Sequence, residues 1–123
     1  MDKNYYITTP IYYPSARPHM GHAYTSIIAD FFARFKRLDG YNVHFLTGTD
    51  EHGLKIQRAA EKKGLDPLKF CDEISQTFRN LSKTLNLSNT DFIRTTEDRH
   101  KKTVQHIWSL LEKNDDIYLS KYS

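Results

Sequence analysis

The 123-residue sequence has little of what characterises secreted and membrane proteins. Its single cysteine, Cys71, excludes an internal disulfide framework and a Cys-x-x-Cys zinc knuckle within this span. No apolar run approaches the roughly 20 residues that a membrane-spanning helix needs. The first residues, Met1-Asp2-Lys3-Asn4, lead directly into a strand pattern and do not resemble a signal peptide. We therefore expect a soluble, cytoplasmic globular domain with no membrane partner.

The sequence also lacks a large excess of positive or negative side chains. The sequence holds 18 Lys and Arg against 15 Asp and Glu, which gives a formal net charge of +3. This mild balance is compatible with an anionic ligand, but it is far from the concentrated basic surface that identifies a nucleic-acid-binding protein. The length fits one domain and allows about two thirds of the unfolded surface to be buried.

Apolar periodicity indicates an alternation of strands and helices along the chain. Strands are predicted at residues 4–9, 43–47 and 91–95, with a further extended segment at 117–119. Helices are predicted from about residue 23 to 38, over 54–63, from Asp66-Pro67 onward and over 98–113. This order predicts an α/β fold with a mostly parallel sheet, in which ligands bind beyond the carboxyl ends of the strands.

Three of the predicted helices carry an apolar stripe at helical spacing, and we expect these stripes to be buried. In the first helix the stripe consists of Tyr24, Ile27, Ile28, Phe31, Phe32, Phe35 and Leu38. In the third helix it consists of Leu68, Cys71, Ile74, Phe78, Leu81 and Leu85. In the last helix it consists of Val104, Ile107, Trp108 and Leu111.

The tetrapeptide His19-Met20-Gly21-His22 lies between the first strand and the first helix. A helix N-terminus attracts anions through its free backbone N–H groups and its dipole, and imidazole N–H groups add directional donors. Gly21 lacks the side chain that would keep a nucleotide away from the backbone. The motif therefore indicates a phosphate site. Two alternatives stay open: a capping histidine beside a surface histidine, and a zinc site, for which no third ligand has a fitting spacing.

A second unusual loop, Gly48-Thr49-Asp50-Glu51-His52-Gly53, follows the second strand. We expect it to open on the same edge of the sheet as the histidine motif. A carboxylate at a strand end can hold a substrate ammonium through charge-assisted hydrogen bonds, and Asp50 is our candidate for this role. For Glu51 and His52, capping of the next helix is a serious alternative.

Two tyrosines, Tyr12 and Tyr13, stand between Pro10 and Pro14 in a stretch too irregular for a regular strand. They either wall an apolar pocket with a polar rim or cover the end of the sheet. We expect the second role for one of the two.

Three longer segments carry a resemblance to a known family: Thr8-Thr9-Pro10-Ile11-Tyr12-Tyr13-Pro14, Pro18-His19-Met20-Gly21-His22-Ala23-Tyr24 and Phe45-Leu46-Thr47-Gly48-Thr49-Asp50-Glu51-His52-Gly53-Leu54-Lys55-Ile56. Together they resemble the opening of the methionyl-tRNA synthetases. Asp91-Phe92-Ile93-Arg94-Thr95-Thr96 and Asp116-Ile117-Tyr118-Leu119 are similar to later landmarks of that family. The His-x-Gly-His element is shared by all class I aminoacyl-tRNA synthetases and related nucleotidylyltransferases, whereas the Thr-Gly-Thr-Asp-Glu-His-Gly block indicates methionine.

The resemblance implies the first half of a Rossmann-like, nucleotide-binding catalytic domain. In this family methionine and ATP, the latter with Mg²⁺, form methionyl-adenylate, and the methionyl group then passes to tRNA(Met). Carried over by position, the ATP-binding residues would be His19, Gly21 and His22, of which the two histidines would stabilise the transition state. Asp50 would hold the methionine ammonium, and Ile11 and Tyr13 would help form the pocket for its side chain.

The sequence also departs from the family pattern. Met20 stands where Ile or Leu is commoner, and Ser15-Ala16 where an Asn-Gly turn is frequent. A complete synthetase continues with a connective insertion that often binds zinc, the second half of the sheet, a lysine loop and an anticodon-binding domain. Residues 1–123 contain none of these, so we expect an N-terminal fragment with half an active site, and zinc only in the missing insertion. The alternatives are another class I synthetase, a small nucleotidylyltransferase, and a non-catalytic half-domain that binds a nucleotide or a partner.

Overall fold

The computed structural model describes residues 3–121. Four terminal residues lie outside the described residues: Met1, Asp2, Tyr122 and Ser123. The prediction that the first residues do not form a signal peptide falls partly on Met1 and Asp2. The elements are, in chain order, β1 (Asn4–Thr8), α1 (Met20–Leu38), β2 (Asn42–Thr49), α2 (Leu54–Lys62), α3 (Pro67–Thr84), β3 (Asp91–Arg94) and α4 (Asp98–Lys113). The predicted alternation of strands and helices is therefore confirmed as far as α4.

The strands form a parallel sheet in the order β1-β2-β3. β1 pairs with the first part of β2, and β3 pairs with its last part. β2 is longer than predicted, because Gly48 and Thr49 of the second loop extend the strand and pair with β3. Since the strands run in one direction, the loops after β1 and β2 leave the sheet at the same edge, as the sequence predicts.

The helices α1 and α3 cover the same face of this sheet. Phe45 of β2 packs against α1, and Phe92 of β3 packs against α3. Thr47 pairs with Phe92 in the parallel register, so these two side chains point to the same side of the sheet. Thr47 is two residues after Phe45 in β2, so Phe45 points to that side as well. The other face of the sheet carries the exposed side chains of Tyr6 and His44, whose ring centroids are 5.6 Å apart.

Helix α1 packs on the sheet with a different face from the one predicted. Its buried residues are Ser26, Ala29, Asp30 and Ala33. The predicted stripe is exposed instead, from 41% at Ile28 to 89% at Leu38, and it comprises Tyr24, Ile27, Ile28, Phe31, Phe32, Phe35 and Leu38. The prediction of burial is wrong for this stripe. Small side chains let the helix approach the sheet closely, and nothing within residues 3–121 covers the bulky face.

Helices α2 and α3 form the larger core together with β3. Its buried members are Tyr12, Ile56, Ala60, Phe70, Cys71, Ile74, Phe78 and Phe92. Asp66 caps α3 through its side chain and Pro67 begins the helix, as predicted. Leu68 is 54% exposed, which contradicts the prediction, because Phe70 occupies the core position in its place. The rest of the predicted stripe of α3 is buried or half-buried: Cys71, Ile74, Phe78, Leu81 and Leu85.

Helix α4 has the predicted bounds but no buried residue. The prediction that its apolar stripe is buried is therefore wrong. The exposed fractions are 47% for Val104, 50% for Ile107, 56% for Trp108 and 39% for Leu111. Within residues 3–121 no other element covers this side of α4, and the extended segment predicted at 117–119 forms no strand there.

Candidate active site

The loops that follow β1 and β2 are joined by Tyr12. The Tyr12 N–H donates to the Gly48 carbonyl at 2.9 Å, and the Tyr12 carbonyl accepts from the Asp50 N–H at 2.9 Å. Tyr12 and Thr49 form a parallel β-bridge, which continues the pairing of β1 and β2 beyond the end of β1. The two loops that carry the sequence motifs are thus hydrogen-bonded to each other.

The ring of Tyr12 extends this connection to the N-terminus of α1. Its centroid lies 4.7 Å from that of His22, and its hydroxyl shares a hydrogen bond of 2.9 Å with Ser26 Oγ. The ring also stacks on Phe78, with centroids 5.6 Å apart. Tyr12 is 8% exposed, whereas Tyr13 is 50% exposed. Of the two tyrosines, Tyr12 is therefore the one that covers the end of the sheet.

His19 and His22 cap the first turn of α1 reciprocally. His19 Nδ1 accepts from the Gly21 N–H at 3.1 Å, and His22 Nδ1 accepts from the His19 N–H at 3.0 Å. This is a capping box built from two imidazoles. The alternative of a capping histidine beside a surface histidine is therefore correct only for the cap, because both rings cap the helix. This double cap occupies Nδ1 of each ring. It leaves room for a ligand, because each cap uses only one of the two ring nitrogens.

The caps also define the protonation of the two rings. A ring nitrogen that accepts a hydrogen bond carries no proton, so each neutral ring holds its proton on Nε2. The ring centroids of His19 and His22 are 3.8 Å apart. Burial, and after it the neighbouring His19, lowers the pKa of His22, which favours the neutral form. The start of α1 therefore offers two Nε2–H donors beside the positive end of the helix dipole.

Gly21 fits closely under the ring of His19. A Cβ at this position would lie 2.9 Å from His19 Cε1 and 3.1 Å from His19 Nδ1. Any larger residue would displace the ring from its capping position. The glycine is thus needed for the cap itself, in addition to the backbone access that the sequence indicates.

The two adjacent carboxylates after β2 have different surroundings. Asp50 is half-buried, and within residues 3–121 its side chain forms no ion pair. The side chain of Glu51 is 0% exposed. Its Oε1 accepts from Thr49 Oγ1 at 2.8 Å and from Arg94 Nε at 2.7 Å, and its Oε2 accepts from Thr96 Oγ1 at 2.6 Å. Asp50 is therefore the carboxylate open to a cation, and Glu51 is already paired.

Neither Glu51 nor His52 caps α2, so the capping alternative for these residues is wrong. Gly53 is the N-cap residue, with a φ of 103°, and no side chain caps the helix. His52 Nδ1 instead shares a hydrogen bond of 2.9 Å with Thr95 Oγ1. The side chains of Glu51 and His52 are thus taken up by residues at and after the end of β3.

The other residues singled out by the sequence lie near this edge or in the core. Ile11 and Tyr13 flank Tyr12 on its loop and are 38% and 50% exposed. Cys71 is 1% exposed, and burial raises the pKa of its thiol to about 11, so it stays protonated at neutral pH. Among residues 3–121, no three His, Cys, Asp or Glu side chains form a group that could hold a metal ion. Every helix in that stretch is too short or too polar to cross a membrane.

A family model described as class I tRNA synthetases (M) matches residues 5–123. The chain belongs to this family. The resemblance seen in the sequence is therefore confirmed, and with it the Rossmann-like class of the fold.

Individual members of the class I tRNA synthetases are similar over nearly the whole chain. The mitochondrial methionine–tRNA ligase of Takifugu rubripes is 57% identical over 121 residues, which cover 98% of this chain and 20% of that protein. The methionine–tRNA ligase of Rickettsia bellii (strain RML369-C) is 57% identical over 122 residues, which cover 99% of this chain and 24% of that protein. The chain thus spans about a fifth to a quarter of the length of these curated relatives.

A solved structure is similar as well. It is that of Mycobacterium tuberculosis methionyl-tRNA synthetase in complex with methionyl-adenylate. The TM-score is 0.96 at 48% sequence identity, and the match covers 98% of this chain and 24% of that one.

Two features of this synthetase chain were not predicted from its sequence. The first is the backbone pairing by which Tyr12 joins the two loops, with its own ring buried and its neighbours Ile11 and Tyr13 exposed. The alternation of side chains in extended backbone could have indicated it. The second is the buried pair of Glu51 and Arg94. These residues are 43 positions apart in the sequence, so no local pattern connects them.

Proposed function

We propose that the protein carrying this chain is a methionine–tRNA ligase that uses ATP. In the first step an oxygen of the methionine carboxylate attacks the α-phosphorus of ATP, the bond to the β-phosphate oxygen breaks, and pyrophosphate leaves. In the second step a hydroxyl of the terminal ribose of tRNA(Met) attacks the methionyl carbonyl carbon, and AMP leaves. The methionyl-adenylate in the similar Mycobacterium tuberculosis structure supports this pair of substrates.

The pair of histidine caps on α1 carries the proposal. Because Nδ1 of each ring is occupied by a cap, the Nε2–H groups are left for phosphate oxygens. Donors that are already oriented stabilise the charge that develops on the α-phosphate without further reorganisation. In this proposal His19 and His22 are the catalytic residues, and Gly21, which has no side chain, lets the nucleotide approach the positive end of the α1 dipole. Mg²⁺ enters as part of the substrate, bound to the phosphates of ATP.

Methionine occupies the neighbouring loop in this proposal. Asp50 binds its ammonium group, which is consistent with a half-buried carboxylate that has no ion pair within residues 3–121. Ile11 and Tyr13 provide apolar surface for its side chain, since 38% and 50% of them remain exposed. The hydrogen bonds of Tyr12 to Gly48 and Asp50 support the closeness of the two substrates.

The chain forms the first half of a Rossmann-type catalytic domain in this proposal. Parallel sheets in α/β domains are covered on both faces, yet the face with Tyr6 and His44 has no helix over it within residues 3–121. The aromatic face of α1, with Phe31 and Phe35, is likewise exposed. The connective insertion, the second half of the sheet and the anticodon-binding domain lie elsewhere in the protein. Any zinc belongs to that insertion, and the enzyme is cytoplasmic.

Methionine-dependent exchange of pyrophosphate into ATP by the full-length protein tests the proposal. We expect His19→Ala to lower the exchange rate by about 10²–10³-fold, the usual loss for one oriented donor. His106→Ala is the matched control, because His106 is an exposed histidine on α4, and it should leave the rate unchanged. An unchanged rate in His19→Ala would remove His19 from the mechanism.

Two further outcomes distinguish the alternatives. Exchange that depends on a different amino acid would indicate another class I synthetase. Binding of ATP without exchange, by a natural gene product near the 14.5 kDa of this chain, would indicate a non-catalytic half-domain. The mass of the native product is therefore measured first.

A further inference from the structure

The carboxylate of Glu51 has no task in the proposed chemistry, yet it is completely enclosed. Burying a charge is unfavourable unless partners compensate it. The two oxygens of Glu51 receive three donors, from Thr49, Thr96 and Arg94, at 2.6–2.8 Å. Next to this fully paired carboxylate stands Asp50, the proposed ligand for an ammonium group.

Hydrogen bonds hold the backbone on both sides of the Asp50 side chain. The Asp50 N–H donates to the Tyr12 carbonyl at 2.9 Å, and the Glu51 N–H donates to Thr95 Oγ1 at 2.8 Å. The side chain of Glu51 ties the same turn to Arg94, the last residue of β3. The turn that carries Asp50 is thus fixed to the loop after β1 on one side and to β3 on the other.

Arg94 compensates the charge of Glu51. Its Nη2 lies 2.6 Å from Asp72 Oδ1 on α3, while its Nε binds Glu51. The hydrogen bond with Glu51 is the largest cause that raises the pKa of Arg94, so the guanidinium stays charged. Because the guanidinium of Arg94 compensates the charge of Glu51, the negative charge that a ligand can reach at the end of β2 is that of Asp50.

We propose that Glu51 is a positioning residue for recognition of the substrate amine: its buried pair with Arg94 fixes the turn from which the carboxylate of Asp50 binds the ammonium group. This inference rests on the proposed function, because it requires an amino acid whose amine meets Asp50. A mobile Asp50 would have to be ordered on binding, and that ordering weakens the affinity. The role concerns the amine alone and leaves the histidine caps on α1 untouched.

Glu51→Gln in the full-length protein tests this role. The variant keeps the shape of the side chain and one acceptor oxygen, but it removes the charge that pairs with Arg94. Two inhibitors of the exchange reaction are compared: methioninol, which keeps the amine, and the methionine analogue that lacks the amino group. We expect methioninol and methionine to bind about tenfold or more weakly, a loss within the range of coupling between residues of one hydrogen-bond and salt-bridge network. The analogue without the amine and the KM for ATP should stay within about twofold of wild type, since neither involves Asp50.

Asp72→Asn is the matched control. It removes the contact of Arg94 with a carboxylate that is 55% exposed and keeps the pair with Glu51, so both inhibitors should bind as to wild type. If Glu51→Gln weakens both inhibitors alike, or neither, the positioning role is overturned, because a merely structural residue would not discriminate by the amine. If Glu51→Gln does not fold, Arg94→Lys is used with the same expectation. Wild-type protein that shows no methionine-dependent exchange would contradict the proposed function itself.

Discussion

Replacing His19 by asparagine would separate two tasks that one ring performs in the structure. His19 Nδ1 accepts the Gly21 N–H at 3.1 Å, and Nε2 is left for a ligand. Asparagine is among the best N-cap residues, and its side-chain oxygen reaches about as far as Nδ1 of histidine. His19→Asn therefore keeps the cap and loses the Nε2 donor, whereas His19→Ala loses both.

The expected magnitudes differ enough to be measured. Loss of an N-cap side chain costs about 0.5–2 kcal/mol, so His19→Ala should lower the free energy of unfolding by about 1 kcal/mol. His19→Asn should leave it within about 0.5 kcal/mol of wild type. Loss of an oriented donor raises the barrier of the proposed reaction by about 2.7–4 kcal/mol, or about 10²–10³ in rate, in both variants. The cap made by His22 persists in both, because its partner is the backbone N–H of residue 19.

The assay combines methionine-dependent pyrophosphate exchange with denaturant unfolding, both on the full-length protein. We expect His19→Asn to be as stable as wild type and as slow as His19→Ala. Exchange at the wild-type rate by His19→Asn would show that Nε2 contributes nothing and that His19 is a helix cap alone. Equal destabilisation by asparagine and alanine would refute the capping argument.

Three other predictions follow from the glycines and from His22. Gly48→Ala should destabilise the protein by about 3 kcal/mol or more, because its Cβ would lie 2.1 Å from the Ile93 carbonyl oxygen, a backbone atom of β3; an unchanged melting temperature would contradict this. Gly21→Ala should raise the KM for ATP without changing that for methionine, since its Cβ displaces the ring of His19. His22 should titrate below the ordinary histidine pKa in NMR spectra of histidine-labelled protein, its signal being assigned with His22→Asn. The pKa of His22 is lower in the folded than in the unfolded protein. The stabilisation by neutral His22 is therefore complete above the pKa of the unfolded state, and it is lost as the pH falls from there to the pKa of the folded state.

The extents of the helices could be predicted from the sequence better than their surroundings. Periodicity correctly marked α1 and α4, because the spacing of apolar residues depends on the helix alone. It predicted the wrong burial for Phe31 and Trp108, since burial depends on what packs against the helix. The face of α1 that meets the sheet instead carries small residues such as Ala29 and Ala33, which a search for bulky apolar side chains passes over.

The site shows the same division between local and distant information. The two histidines and Gly21 are neighbours in the sequence, so their place at a helix N-terminus could be predicted. The burial of Glu51 could not, because it depends on Arg94 in a strand that follows two helices. For Glu51 the local sequence offered capping of the next helix as an alternative, whereas the folded chain supplies the guanidinium of Arg94.

Tyr12 contacts both loops, one through its backbone and the other through its ring. Its backbone is bonded to Asp50, and its ring lies against His22. A ligand that moves this loop from one side therefore alters the environment of the other side, and any resulting change in affinity must be reciprocal. If occupancy at Asp50 tightens binding at His22 by some factor, occupancy at His22 tightens binding at Asp50 by the same factor. The order in which two ligands bind then determines which binary complex forms first, while the total free energy of binding both ligands stays the same.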